Sequence, residues 1–251
     1  MHWIAVVASG VVVGTLFGFF GVGGSSFATP LLSLSGLSGF AAVASPLPAT
    51  IPSAVVGARE YSQSGQVDWD VARWTLVGGV PATIVGALLS QLVGGAALLI
   101  ASGIVLGAVG VRVLRPISAE RIAAGHLRRG KPGLIVAVAV GIGLFTGLLA
   151  NGGGFLLVPA YLLIFGLSMR AASGTSLVVI AALTIPTLVT HWALGHIDWA
   201  AAFLFMAGSI PASWAASRYS QRFRSDHLQR AFGILLIVFS VWFVAYRLFL
   251  R

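Results

Sequence analysis

The chain has 251 residues, of which 58% are hydrophobic and 8% are charged, and its net charge is +9. An ordinary soluble domain has about 25% charged residues, so this chain has too few charges to cover the surface of a globule in water. The composition excludes a soluble domain. It predicts an all-α polytopic membrane protein, because the apolar runs lack the alternating polarity of barrel strands.

The positive charge would suggest a nucleic-acid partner in a soluble protein. Here Lys and Arg lie in the connections between apolar runs, as they do in the cytoplasmic loops of membrane proteins, so we expect no nucleic acid. The chain has no cysteine, which excludes disulfides and Cys-ligated metals. It has no phosphate-binding loop, HExxH motif or serine elbow, so we predict no enzymatic activity, metal or cofactor.

Five hydrophobic segments follow one another in the first half of the chain. A helix needs about 20 apolar residues to cross the hydrocarbon core, and the second segment is shorter than that. A polar linker follows at residues 115–132, with four basic residues and one acidic residue after Pro116. We predict the segments at about 3–20, 26–39, 44–61, 72–93 and 97–114.

The second half repeats this pattern. Its five segments are predicted at about 134–150, 155–167, 173–191, 199–217 and 228–247. Motifs recur at nearly constant spacing, with a single one-residue slip, so we infer a duplication with repeats at 1–114 and 133–251. The matching sequences are GFFGVGGSSFATP at 18–30 with GLLANGGGFLLVP at 147–159, and GQVDW at 65–69 with GHIDW at 195–199.

Arginines predict how the two repeats are oriented. Basic loops stay cytoplasmic, and the chain has two of them, the linker and the connection from Arg218 to Arg230. Parallel repeats would place these loops on opposite sides of the membrane, whereas inverted repeats place both inside. The alternative is that the first two segments of each half form one broken helix. This gives four crossings per half and parallel repeats.

The paired glycine clusters indicate a substrate site. Short, glycine-interrupted segments at corresponding places in inverted repeats mark a transporter's midplane binding site. Consecutive glycines break a helix, and the unpaired N–H groups that follow favour an anion. The alternative is that glycines serve helix packing, as we expect at the GxxxG spacings Gly14/Gly18, Gly143/Gly147 and Gly103/Gly107. The candidate residues at the two breaks are Gly23, Gly24, Ser25, Ser26, Asn151, Gly152, Gly153 and Gly154.

Hydroxyl residues at matched positions complete the candidate site. Ser45 in the sequence ASP corresponds to Thr175 in the sequence GTS, which continues with Ser176, and we expect each motif to open a new span. These hydroxyls either face the same pocket or cap their own helices. Asp68 and Asp198 are predicted to cap the following helices. All six acidic residues lie at span ends or in loops, so no carboxylate relay for protons is visible.

The glycine motifs, the ASP and GTS openings and the GQVDW and GHIDW pair together resemble the sulfite exporter TauE/SafE family over essentially the whole chain. The resemblance implies a permease for sulfite, sulfonates or related anions in a prokaryotic inner membrane. It assigns the family's Thr-Ser pair to Thr175 and Ser176, whereas the first half has Ser45 and Pro46 there. The expected partners are a small anion and the bilayer, and homo-oligomerisation is left open. The alternatives are an anion channel and a non-transporting structural membrane protein.

Overall fold

The computed structural model describes residues 3–23, 25–37, 39–89, 107–114, 129–148 and 154–249. All regular secondary structure in these ranges is helical. Residues 107–114 are helical, and the remaining helices are α1 Trp3–Phe20, α2 Ser25–Leu34, α3 Gly39–Ala44, α4 Leu47–Gln63, α5 Trp69–Leu89, α6 Pro132–Leu148, α7 Gly154–Leu163, α8 Met169–Ala193, α9 Trp199–Ser220 and α10 Ser225–Phe249.

Several of these helices are long and apolar enough to cross a membrane. Candidate spans in the described residues are α1, the stretch Ala41–Gln63 that contains α4, and helices α8 and α9. Their outer faces carry large apolar side chains, which lipid accepts without cost. The polytopic helical class predicted from composition is therefore confirmed. Strongly exposed examples are Ile4 of α1, Val55 of α4, Trp192 of α8 and Phe203 of α9.

Helix starts follow the local capping residues. α1 has the predicted bounds, and α9 begins directly after Asp198, whose carboxylate accepts a hydrogen bond from the N–H of Ala201 at 3.0 Å. α8 begins at Met169, four residues before the predicted start, because Ser168 caps it by accepting a hydrogen bond from Ala171. The expectation that GTS opens this span is therefore wrong. Thr175 and Ser176 lie in the second turn of α8.

Corresponding helices of the two halves make corresponding contacts. The first helix of each half packs along the helix of the fourth predicted segment of the other half. Thus α1 packs on α9, and α6 packs on α5. Likewise α4 packs on α9, α8 packs on α5, and the counterparts α4 and α8 pack on each other. The halves are thus interlocked rather than side by side, which supports the duplication inferred from the motifs.

The order of contacts gives the relative directions of the helices. Gly10 and Gly18 of α1 approach Phe205 and Ser213 of α9 in the same order, so these two helices run parallel. Glycines also bring α4 and α8 together, but there the contacting residues follow one another in opposite order along the two helices.

Gly57 approaches Leu177, whereas Tyr61, one turn later, meets Gly174. Helices α4 and α8 are therefore antiparallel, although they are counterparts in the duplication. Opposite directions for matched helices support the inverted-repeat interpretation. The orientation of the helices across the membrane stays a prediction.

Candidate functional site

The first glycine break interrupts the chain between α1 and α2. Residues 21–23 are non-helical and buried. Gly21 has a φ of 63°, a conformation that residues with a side chain rarely adopt. A Cβ at Gly21 would also lie 2.7 Å from the Cα of Ser173 in α8. Glycine is therefore needed here both for the backbone turn and for the close approach of α8.

The carbonyl groups at the break are satisfied by side chains. The Tyr61 hydroxyl, which is fully buried, lies 2.9 Å from the carbonyl oxygen of Gly18 and donates to it. Ser220 in turn donates to the Tyr61 oxygen at 2.8 Å. Ser176 donates to the carbonyl oxygen of Gly21 at 2.7 Å. The acceptors at the end of α1 are thus occupied by hydroxyl groups from both halves.

The N–H groups at the break are in a different situation. Gly21 donates to the carbonyl of Phe17 at 2.8 Å, but within the described ranges Val22 and Gly23 donate to no other residue. Val22 is only 1% exposed. Buried backbone donors in proteins are nearly always paired, so two adjacent unpaired donors indicate a place for a ligand or an ordered water.

The remaining predicted break residues are distributed as follows. Ser25 and Ser26 open α2, and Gly154 opens α7, the counterpart of α2. Gly24, Asn151, Gly152 and Gly153 lie outside the described residues. Gly23 therefore lies in the first break and Ser176 contacts this break through the carbonyl of Gly21. The predicted meeting of the two breaks stays an expectation.

Ser45 and Thr175 have matching roles at the contact between the halves. The Ser45 hydroxyl accepts a hydrogen bond from the backbone N–H of Asp198 at 3.0 Å. The Thr175 hydroxyl accepts one from the backbone N–H of Asp68 at 2.9 Å. Each hydroxyl belongs to one half and each aspartate to the other, so we call these two bonds the interhalf clasps.

The clasps correct the capping interpretation. Pro46 flanks α4 without a side-chain cap, and α8 is capped by Ser168, so neither Ser45 nor Thr175 caps its own helix. Both hydroxyls are fully buried and reach across to the other half. The caps of α5 and α9 are instead the carboxylates of the clasped aspartates, as predicted for Asp68 and Asp198.

One of the two clasps has an additional ionic contact. The Arg129 guanidinium, at the end of the predicted linker, lies 3.1 Å from the Asp68 carboxylate. The two side chains are 26% and 20% exposed. This ion pair attaches the end of the linker to the start of α5. In the described part of the chain, Asp198 has no matching ion pair.

A group of hydroxyls at mid-span was not predicted from the sequence. Ser53 of α4 lies 3.2 Å from Ser209 of α9, and Ser213 donates to the Ser53 carbonyl at 2.9 Å. Ser53, Ser209 and Thr50 line a cavity of about 10 Å³, which suits one water but is too small for an organic anion. The signal in the sequence is the four-residue spacing of Ser209, Ser213 and Ser217, which places them on one helix face.

A bundle of long apolar helices, formed by two interlocked halves around a buried helix break, defines a polytopic membrane protein. Residues 6–243 match the family model described as Sulfite exporter TauE/SafE. The chain therefore belongs to the TauE/SafE family, as the motifs indicated.

Curated relatives agree with this assignment. A "Probable membrane transporter protein" of Xylella fastidiosa (strain 9a5c) is 30% identical, and the alignment covers 96% of this chain and 94% of the relative. "Probable membrane transporter protein YunE" of Bacillus subtilis (strain 168) is 24% identical, with 85% of each chain covered. "Probable membrane transporter protein YjnA" of the same strain is 23% identical, with 94% and 97% covered. No solved structure gives a significant match.

Family membership and the apolar helices together make the protein a multi-pass membrane transporter rather than an enzyme. Its partners are accordingly a small-molecule substrate and the lipid bilayer.

Proposed function

We propose that the protein is a permease, and specifically an exporter, of small sulfur-containing anions such as sulfite or organosulfonates in a prokaryotic inner membrane. The observation that carries this proposal is the buried pair of N–H donors at Val22 and Gly23, which have no hydrogen-bond partner among the described residues. In this proposal the anion binds against these donors. The second glycine break, at residues 151–154, contributes equivalent donors from the other half.

The chemistry of the break suits an oxyanion. Sulfite and sulfonate oxygens accept several hydrogen bonds at once, and a charge out of water needs such convergent donors. The start of α2 adds the positive end of a helix dipole. Backbone donors without a buried Arg or Lys compensate the charge only partly. This favours the reversible binding that a transporter requires.

The direction of transport follows from the membrane potential. An anion that leaves a cell with a negative interior gains about 2.3 kcal/mol per charge per 100 mV. Export therefore needs no coupling ion. The acidic residues of α4, α5 and α10 lie at the helix ends, and Asp68 and Asp198 directly precede α5 and α9. The proposal therefore contains no proton relay.

Transport by purified protein in liposomes tests the proposal. The wild-type protein should move radiolabelled sulfite or a sulfonate with saturation. Gly23→Leu, and Asn151→Leu combined with Gly153→Leu, should lower the transport rate at low substrate by roughly tenfold or more. The leucine side chains would keep the anion from the backbone donors, and losing a hydrogen bond to a charged group costs about 1.5–3 kcal/mol. The matched control is Gly141→Leu, since a side chain at Gly141 of α6 would point into open space.

Three results would count against the proposal. If both break variants transport as the wild type does, the proposed site is wrong. If no sulfur-containing anion is moved or stabilises the protein against heat, the substrate class is wrong. Single-channel currents, together with flux that does not saturate with substrate, would make the protein an anion channel instead.

A further inference from the structure

We propose that Tyr61 is the positioning residue of the first glycine break. It keeps the N–H groups of Val22 and Gly23 free for the anion without touching the anion itself. This inference rests on the proposed function, because it assigns the anion to these donors.

The positions of the carbonyl groups carry the argument. In a continuous α-helix each N–H donates to the carbonyl four residues earlier. If α1 continued past Phe20, Val22 would donate to Gly18 and Gly23 would donate to Phe19. Those are the two carbonyls that the Tyr61 hydroxyl contacts, at 2.9 Å from Gly18 and 3.2 Å from Phe19. The single phenol proton is thus shared between the two carbonyls that these backbone donors would otherwise serve.

Burial makes this substitution necessary. The last carbonyls of a helix have no partner within the helix, and unpaired buried carbonyls are costly. At the end of α1, the Phe17 carbonyl accepts from the N–H of Gly21, while the carbonyls of Gly18 and Phe19 share the single proton of Tyr61. Without the phenol hydroxyl, these carbonyls lose their donor, and the N–H groups of Val22 and Gly23 are the partners that a continuous helix would give them. The break would then close into another helical turn and lose its anion-binding donors.

The second half of the protein holds the phenol in place. Ser220, at the end of α9, donates to the Tyr61 oxygen at 2.8 Å and is fully buried. The single Ser220 proton is shared with the Ser217 carbonyl, which lies 2.7 Å away. The α1 carbonyls can only accept, so the phenol proton lies between the Tyr61 oxygen and these carbonyls. Ser176 of α8 donates to the carbonyl of Gly21 in the same break. A shift of the second half relative to the first would therefore alter the break directly.

Among the described residues, this contact of a phenol hydroxyl with the last carbonyls of a helix is found at Tyr61 and not at the matching position of the second half. By the repeat spacing, the counterpart of Tyr61 is His191, whose Nδ1 lies 3.1 Å from Nδ1 of His196. His191 therefore has a different partner from Tyr61.

Kinetics of Tyr61→Phe test the inference. The variant keeps the ring and loses only the hydroxyl, so we expect KM for sulfite in proteoliposomes to rise about tenfold, with an unchanged maximal rate. Ser220→Ala should raise KM less, and Ser220→Thr should restore it. The matched control is Tyr161→Phe, because Tyr161 is equally buried and its hydroxyl donates to Thr75 at 3.1 Å. It should lose some stability but keep its KM.

Amide hydrogen exchange gives a readout independent of transport. In Tyr61→Phe the amides of Val22 and Gly23 should gain protection, because they become hydrogen-bonded to the freed carbonyls. Unchanged exchange at these two amides, or equal KM shifts in the two tyrosine variants, would overturn the inference while saturable wild-type transport still supports the proposed function. If the wild type moves no sulfur anion, the proposed function fails, and the exchange result alone decides the role of Tyr61.

Discussion

Two glycines of α6 that are only two positions apart have opposite surroundings. A Cβ at Gly143 would lie 2.7 Å from the carbonyl oxygen of Gly79 and 2.9 Å from the Cβ of Ala82, whereas a Cβ at Gly141 would meet nothing within 4 Å. We therefore expect Gly143→Ala to force α5 and α6 apart and to lower the free energy of unfolding by about 1–3 kcal/mol.

Gly141→Ala is the matched control for this prediction. It changes the same helix by the same methyl group and should be neutral or slightly stabilising, because alanine favours the helix. Thermal unfolding in one detergent compares the two variants. Equal midpoints would mean that the contact between α5 and α6 does not depend on the absence of a side chain at Gly143.

At the residue scale, the sequence predicts close packing better than it predicts hydrogen-bond partners. The GxxxG spacing correctly indicated that Gly14 and Gly18 lie against a neighbouring helix, since only small residues allow such an approach. Ser176 was assigned to the substrate, yet its hydroxyl donates to Gly21, which lies 155 positions away. Whether a hydroxyl faces a ligand or a distant carbonyl depends on the tertiary fold, and no local pattern contains that information.

At the element scale, the interhalf clasps join the starts of α5 and α9 to the opposite half. Ser45→Ala and Thr175→Val each remove the acceptor of a partly buried backbone N–H, that of Asp198 or Asp68. An unsatisfied buried donor costs about 1–3 kcal/mol. We expect each variant to unfold at a lower temperature in detergent. The free energy of unfolding of the double variant should fall by approximately the sum of the two single decreases, because the two clasps share no residue.

Surface hydroxyls with local partners are the controls for the clasp variants. Ser33→Ala and Thr190→Val remove hydroxyls that only donate to a carbonyl four residues earlier in their own exposed turns. These controls should change the midpoint little. If Ser45→Ala and Thr175→Val behave like the controls, the clasps contribute nothing measurable to the association of the halves.

Helix starts were predictable where the cap is an aspartate that directly precedes the span. Asp198 gave the start of α9 correctly, because an acidic residue before Trp199 satisfies the first N–H groups of the helix. The start of α8 was predicted too late. Ser168 provides an earlier cap, and the buried Met169 and Ala172 extend the apolar face back to it. The later start was predicted because Gly174 and Thr175 resemble the residues that begin a helix, although they lie inside α8.

At the scale of the whole molecule, the duplication was readable from motifs, whereas the interlocking of the halves was not. Motif spacing states which segments correspond, but not which helix of one half packs on which helix of the other. The parallel contact of α1 with α9 and the antiparallel contact of α4 with α8 come from the three-dimensional arrangement. They agree with an inversion that was inferred from arginine placement alone. Two independent lines of reasoning therefore favour inverted repeats.

Corresponding positions in the two halves offer the sharpest test of the inversion. Ser64 follows α4 and Leu194 follows α8 at the same repeat spacing as the GQVDW and GHIDW motifs, and both are exposed. The chain contains no cysteine, so single cysteines can be introduced without a background. Inverted repeats place positions 64 and 194 on opposite sides of the membrane, whereas parallel repeats place them on the same side.

A membrane-impermeant maleimide applied to right-side-out and inside-out vesicles measures the sidedness. We expect Ser64→Cys, Arg128→Cys and Arg222→Cys to react only from the cytoplasmic side and Leu194→Cys only from the outside, because basic loops are retained inside. Reaction of positions 64 and 194 from one common side would replace the inverted arrangement with the broken-helix alternative. If position 64 reacts only from outside and position 194 only from the cytoplasmic side, the repeats are inverted and only the predicted orientation is wrong. The experiment therefore separates the symmetry of the fold from the charge rule that orients it.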